Sequence, residues 1–481
     1  FLHVATNGKY GFHRDELQTL DDARHLDWGF VAYPPITPLI GRVELILFGT
    51  SLIGFRIFPA LAVSVAMVLT GFIARELGAS RGMQLLAAIA VAISPLALTQ
   101  AAVMQYVSFD YVWGVTITYL LVRLLKSGDP RWWLAIGATM GIGMETRYTM
   151  GFLVLGTAGA VLLTSARRFL LARWLWIGVA ISILVFLPNV IWQARHQFIS
   201  LDFLKHLHAR DLRQGRYAGF YREQLLLCVN VVTSPLVAFG LWSLFVKKEN
   251  RKYTLVGWTS VLTFALFAFA GARSYYTAPL YPVIVAAGCA ALGAWLQSWP
   301  PAISKAVFIT IWILLAVAGT AFALVAVPIA PIGSAVWNFN LKVHDQFSEE
   351  IGWPDLANAV AGVYRSLPEA ERQSTGILTG NYGEGGALNL YGPALGLPHA
   401  MSLTNSFWYR GYDPRLPQTV IVTGFDWDEA TAIFESCRVV AKNSNPYGVL
   451  NEESRDHPDI LLCENLKWPW PVYWAHSRRY G

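Results

Sequence analysis

This sequence has little charge. Only 14% of its 481 residues are Asp, Glu, Lys or Arg, against roughly a quarter in soluble domains, and a soluble fold of this size could not cover its surface with so few. Cysteine is scarce as well. Four residues, with no CxxC and no Cys/His cluster, exclude a disulfide scaffold and argue against a structural zinc site. Gly and Pro follow no collagen period, no internal repeat is visible, and no cleavable signal peptide is recognisable. The apolar content is high: 54% hydrophobic residues, including 19 Trp, 20 Tyr and 26 Phe, and a mean hydropathy of +0.41. That excludes disorder and makes the chain a polytopic membrane protein. The net charge of +6 points to cytoplasmic loops before nucleic acid, and no nucleic-acid partner is expected.

A helix needs about 20 apolar residues to cross a bilayer core. Ten stretches come near this: 55–75, 83–101, 109–126, 131–146, 148–165, 174–193, 225–246, 253–271, 276–297 and 305–327, the fourth and fifth parted by Glu145 and Arg147. Alternate connections carry Arg75 and Arg81; Arg123, Lys126 and Arg131; Arg167, Arg168 and Arg173; Lys247, Lys248, Arg251 and Lys252; and Lys305. By the positive-inside rule these are cytoplasmic, so 1–54, 102–108, Arg147, 194–224, 272–275 and everything after 328 face outward. The basic residues of 194–224 are the exception, either attracting anions or simply solvated. The opening FLHVAT reads as the tail of an apolar segment, and a first transmembrane helix is expected before it.

Beyond residue 328 turn dipeptides and charges increase. Short β-rich runs at 375–380, 419–424 and 459–463 alternate with helical stretches near 354–366 and 427–435. This predicts a small α/β extracytoplasmic domain over 328–481, after a membrane domain over 1–327. Cys437 and Cys463 fall near two of its strands, and outside the cytoplasm they either pair or stay free thiols. Cys228 and Cys289 read as packing residues.

The outward segment 7–54 is too long for a mere connection. His13, Arg14, Asp15 and Glu16 form a polar cluster. Leu17, Leu20 and Leu26 follow at near-helical spacing, then Tyr33-Pro34-Pro35 and a second amphipathic stretch from Ile36 to Phe48. Two short helices lying on the membrane surface are predicted, presenting the cluster where a substrate with a lipid tail and a polar head would sit. Asp15 is either a helix cap or a functional acid. Asp110 has the same alternatives, with Ser108 as another cap. Arg147 and Arg273 suit phosphate recognition at the outer ends of helices, or serve as interfacial anchors with Tyr275 and Tyr276 as aromatic belt.

The order of YGFHRDEL, YPPITPL, RIFPAL (56–61), LTGFIAREL (69–77), SFD (108–110), METRYT (144–149), LPNVIWQ (187–193) and SYYTAPLYP (274–282) resembles the bacterial branch of the GT-C glycosyltransferases. That branch is the protein-mannosyltransferase-like group that includes aminoarabinose transferases acting on lipid A. YGEGGALNLYG (382–392) and NSFWYRGY (405–412) resemble its outer domain.

The resemblance implies a GT-C fold and a sugar donor on a polyprenyl phosphate, with inverting transfer at the outer face of what the family branch suggests is a bacterial inner membrane. The acceptor is a lipid, a glycan or a protein. The family's acidic pair matches Asp15 and Glu16, with Asp15 as base for the acceptor hydroxyl and Glu16 orienting a neighbour or the acceptor. His13 and Tyr275 are further candidates. Arg273, with Arg147 behind it where many relatives carry Lys, would hold the donor phosphate beside Tyr276. Asp110 either orients an arginine or binds a divalent cation, and no organic cofactor is expected. A stable phosphate leaving group removes the strict need for a general acid, so the site must supply a base and positive charge. The competing class is a transporter or flippase of lipid-linked sugar, for which duplicated halves are expected and absent. A noncatalytic scaffold leaves the Asp15/Arg273 set unexplained.

Overall fold

The computed structural model describes residues 1–481 and divides into two compact units. One comprises Phe1–Val4, Tyr33–Thr37 and Arg56–Val327; the other comprises Ala5–Ala32, Pro38–Phe55 and Pro328–Gly481. Most of the segment 7–54, placed with the membrane domain by sequence, therefore packs with the C-terminal residues.

The first unit is helical, and each of the ten apolar stretches contains a helix. Five are long and apolar enough to cross a membrane: Leu52–Glu76, Arg173–Arg195, Lys248–Phe269, Ser274–Leu296 and Pro301–Ala326. A bent pair, Met150–Leu163 with Ser165–Leu171, would make a sixth. Others are too short alone: Arg81–Ala92 ends before Pro95, which opens a separate short helix Pro95–Gln100, and 12 residues rise only about 18 Å. The stretch 225–246 is also broken, at Asn230 (φ 138°) ahead of Ser234–Phe245. Helices approach through small residues. A Cβ on Gly137 would meet the Gly178 carbonyl oxygen at 2.0 Å, and one on Gly240 the Ile284 oxygen at 1.9 Å, the small-residue contact by which helices associate in lipid.

The second unit is built on a five-stranded sheet: β1 Thr375–Thr379, β2 Ala400–Ser402, β3 Thr419–Thr423, β4 Phe434–Lys442 and β5 Asp459–Leu466. Their order is β2-β1-β3-β5-β4, with β1 parallel to β2 and β3, and β5 antiparallel to β3 and β4. Cys437 and Cys463 stand opposite one another on β4 and β5 and form a disulfide.

Two helices occupy residues 7–50, Arg14–Arg24 and Ile36–Phe48. The first does not lie on a membrane surface. Residues Glu16 to Ala23 are buried, with Leu17 against helix Tyr382–Tyr391, where a Cβ on Gly386 would meet Leu17 Cβ at 2.8 Å. Its apolar stripe serves protein packing because a glycine-opened helix face is available to receive it. Ile36–Phe48 keeps an open apolar face with Leu39, Val43, Ile46 and Leu47 exposed.

Candidate active site

In the first unit the chain turn between helices Trp132–Met144 and Met150–Leu163 delivers Arg147. Its guanidinium is buried among three aromatic rings, with Tyr276, Tyr106 and Tyr275 centroids at 4.0, 4.8 and 5.3 Å. Asp110, one turn into helix Tyr106–Ser127, places Oδ2 3.4 Å from Arg147 Nη1. Tyr275 meets Tyr276 edge to face with ring centroids 4.8 Å apart, and both tyrosines lie in the field of both arginines. Arg273 donates from Nε and Nη2 to the two oxygens of Asp211 at 2.6 and 2.8 Å, and Arg216 stands 3.9 Å from the same carboxylate. Glu223 also accepts from the hydroxyl of Ser274, the neighbour of Arg273, so three guanidiniums and three carboxylates are gathered there. Close by in sequence, Tyr148 accepts from Gln193 Nε2 at 2.7 Å beside Asn189 and Ser200.

These positions settle several alternatives. Arg147 is too buried for an interfacial anchor. Neither Asp110 nor Ser108 caps its helix: the N-cap is Gln105, and the Ser108 hydroxyl donates to the Gln105 carbonyl at 3.0 Å.

In the second unit His13 is the N-cap of helix Arg14–Arg24. Its Nδ1 accepts from the Asp15 amide at 3.2 Å, and its own amide donates to Glu16 Oε2 at 2.8 Å. This is a capping box with histidine in the usual Ser/Thr place. Glu16, the predicted orienting acid, is fully buried with that carboxylate oxygen on the chain. Asp15 is therefore not the cap. Its side chain is 38% exposed, and Oδ1 accepts from the Tyr382 hydroxyl at 2.8 Å. Burial and the Asp15 carboxylate hold the Tyr382 phenol well above its usual range, so it acts as donor.

Arg14 anchors this arrangement. Its Nη1 reaches Glu453 at 3.3 Å and also pairs with Glu452, its Nε lies 3.8 Å from Glu349, and its plane sits 5.6 Å from the Tyr382 ring centre. Burial, with Glu453 nearby, pushes Glu349 up to about 8 despite Arg14. Burial, again with Glu453, raises Glu384 to about 8 on helix Tyr382–Tyr391. The structure thus brings Asp110, Arg147, Arg273, Tyr275 and Tyr276 together in one unit, and His13, Asp15 and Glu16 in the other. No group of three or more His, Cys, Asp or Glu side chains is arranged to hold a metal ion. The donor set around Asp110 does not suit a divalent cation, since its near neighbour is a guanidinium.

Sequence reasoning missed Asp211, Tyr106 and Tyr382. Asp211 lies within the basic segment 194–224, flanked by Arg210 and Arg213, a position that is a readable sign of a paired cation. Tyr382 opens a motif the sequence singled out, but nothing in that motif names Asp15 as its partner.

Residues 32–192 match the model of the dolichyl-phosphate-mannose-protein mannosyltransferase family. A lipid A galacturonosyltransferase of Rhizobium johnstonii is 24% identical over 264 residues, 52% of this chain and 53% of that protein. The match spans about half the relative's length. Among solved structures, ArnT from Cupriavidus metallidurans bound to undecaprenyl phosphate superposes with a TM-score of 0.58 at 15% identity, over 96% of this chain and 95% of the other. The Archaeoglobus fulgidus oligosaccharyltransferase AglB, in complex with an inhibitory peptide and a dolichol-phosphate, gives 0.53 at 11% identity, over 86% and 66%.

Proposed function

We propose that this chain, by its likeness to the mannosyltransferase family model, the lipid A galacturonosyltransferase and ArnT, is an integral-membrane inverting glycosyltransferase of the GT-C type, in its aminoarabinose-transferase-like branch. It moves a sugar from a polyprenyl-phosphate donor to an acceptor hydroxyl on the outer face of a bacterial inner membrane. The observation that carries this reading is the guanidinium cluster. Arginines 147 and 273 share Tyr275 and Tyr276, and each is held by a carboxylate, Asp110 and Asp211 respectively.

Donor cleavage transfers negative charge to the departing phosphate as the anomeric carbon gains oxocarbenium character. Planar guanidiniums fixed by aromatic faces and by carboxylates need no reorganisation to meet that charge. Asp110 and Asp211 hold the two arginines in orientation while leaving further N–H donors for phosphate oxygens. Asp15 takes the proton of the acceptor hydroxyl, and the Tyr382 hydroxyl orients its carboxylate for that transfer. Glu16 secures the helix that presents Asp15. The disulfide Cys437–Cys463 supports an oxidising compartment for the second unit.

Transfer of labelled sugar from a polyprenyl-phosphate donor in liposomes tests these roles. Asp15→Asn should abolish turnover with donor affinity retained, and undiminished turnover would remove the base assignment. Arg273→Ala should weaken donor binding, and unchanged affinity would remove the phosphate role.

A further inference from the structure

The second unit contains a cavity of about 350 Å³ lined by His399, Phe407, Arg410, Tyr412, Asp413 and Arg415. It lies beside β2, the edge strand of the sheet, whose outer side has no strand partner. One wall is aromatic. Tyr412 is stacked on Trp470 with ring planes 18° apart and rests on Trp474 at 5.8 Å, so its ring is held rigidly at the cavity. The other wall is ionic, and every charge there is already paired. Arg410 is clasped by Asp21 and Asp22 of helix Arg14–Arg24 and lies 4.3 Å over the Phe407 ring. Arg415 makes a fork with Asp413, donating from Nε at 3.0 Å and from Nη2 at 2.5 Å, and from Nη1 to the Gln373 carbonyl at 2.7 Å.

This pairing decides the ligand chemistry. An anion entering the cavity would meet Arg410 and Arg415 only in competition with Asp21, Asp22 and Asp413, and would face their negative charge at short range. A paired Arg–Asp fork instead offers donors and acceptors side by side with no net charge, since a guanidinium carries five N–H groups and a carboxylate about four lone-pair sites. Vicinal hydroxyls match such a fork, and the apolar face of a pyranose ring matches the flat face of Tyr412. The size falls in the range of small-molecule sites, roughly 300–1,000 Å³.

We propose that this cavity binds a neutral saccharide unit of the acceptor, held between the Tyr412 ring and the Asp413–Arg415 fork. The word acceptor rests on the glycosyl-transfer reading above. The binding itself does not, because it is measured without turnover, so the two can fail separately.

The test uses the full chain in detergent, with N,N′-diacetylchitobiose and maltose as neutral probes and glucose 1-phosphate as the charged comparator, followed by saturation-transfer NMR and calorimetry. Saturable binding of a neutral disaccharide, weakened about tenfold or more by Tyr412→Ala and by Arg415→Ala, is expected. Because the Arg415 side chain is 43% exposed, its removal leaves the fold intact even where Tyr412→Ala does not. The proposal is overturned if neither disaccharide binds, if Arg415→Ala leaves binding unchanged, or if glucose 1-phosphate binds more tightly than both.

Discussion

Glu384 should make the second unit lose stability as pH rises, and Glu384→Gln should reduce that loss. The carboxyl is fully buried, and burial together with Glu453 raises it from 4.5 to about 8. Its Oε1 accepts from the Thr423 hydroxyl at 2.7 Å, a bond that Gln can keep. Between these two pH values the folded unit holds a proton that the unfolded chain has released, so stability falls with rising pH by up to about 1.4 kcal/mol per pH unit. Over the whole interval the loss reaches at most about 5 kcal/mol. Glu349, raised to a similar value, adds a second contribution of the same sign. Glu453, also raised by burial, acts in the same direction, so the variant should show a shallower slope than the wild type, not none. The assay is amide hydrogen exchange of β1 and β3 from pH 5 to 9, corrected for intrinsic exchange. A wild-type protection free energy that is flat or rises over this interval, or a variant slope equal to the wild type's, would refute the reasoning.

Other outcomes follow from the same contacts. Tyr382→Phe removes the hydroxyl on Asp15 and should lower kcat about tenfold or more with donor KM unchanged, so an unaltered kcat would deny Tyr382 its positioning role. Arg147→Lys keeps the charge but loses planar stacking on three rings; at about 0.5–1 kcal/mol each, donor-analogue affinity should fall by about tenfold or more, and equal affinity would contradict this. Replacing Cys437 and Cys463 by Ser opens a loop with a sequence separation of 26 and should cost the second unit about 3–4 kcal/mol, seen as lost protection of β4 and β5; protection matching the wild type would speak against it.

How much was legible depended on range. The runs at 375–380, 419–424 and 459–463 became β1, β3 and β5 because each is a short β-branched or aliphatic stretch closed by turn residues. The edge strand β2 spans only three residues, and β4 follows directly on helix Trp427–Ile433, so neither announced itself. Helix Arg14–Arg24 was legible as amphipathic, but periodicity states only that one face is apolar, not what covers it. Its cover, helix Tyr382–Tyr391, lies over 350 residues away, and the Tyr382–Asp15 bond spans 367. Glu16 was read as chemistry because sequence shows an acid pair, while its capping task depends on the extended backbone of His13. The clustering of Arg147 with Arg273 was expected from their common helix ends. Asp211, which fixes Arg273, required a fold to bring together two segments 62 residues apart.

The most direct measurement reconstitutes the purified chain in sealed liposomes with polyprenyl phosphate carrying a doubly labelled sugar and lipid. The account predicts that the sugar label leaves the polyprenyl phosphate and appears on an added acceptor, and that Arg147→Gln suppresses this release. Movement of both labels together across the bilayer, with the sugar–phosphate bond intact, would contradict it.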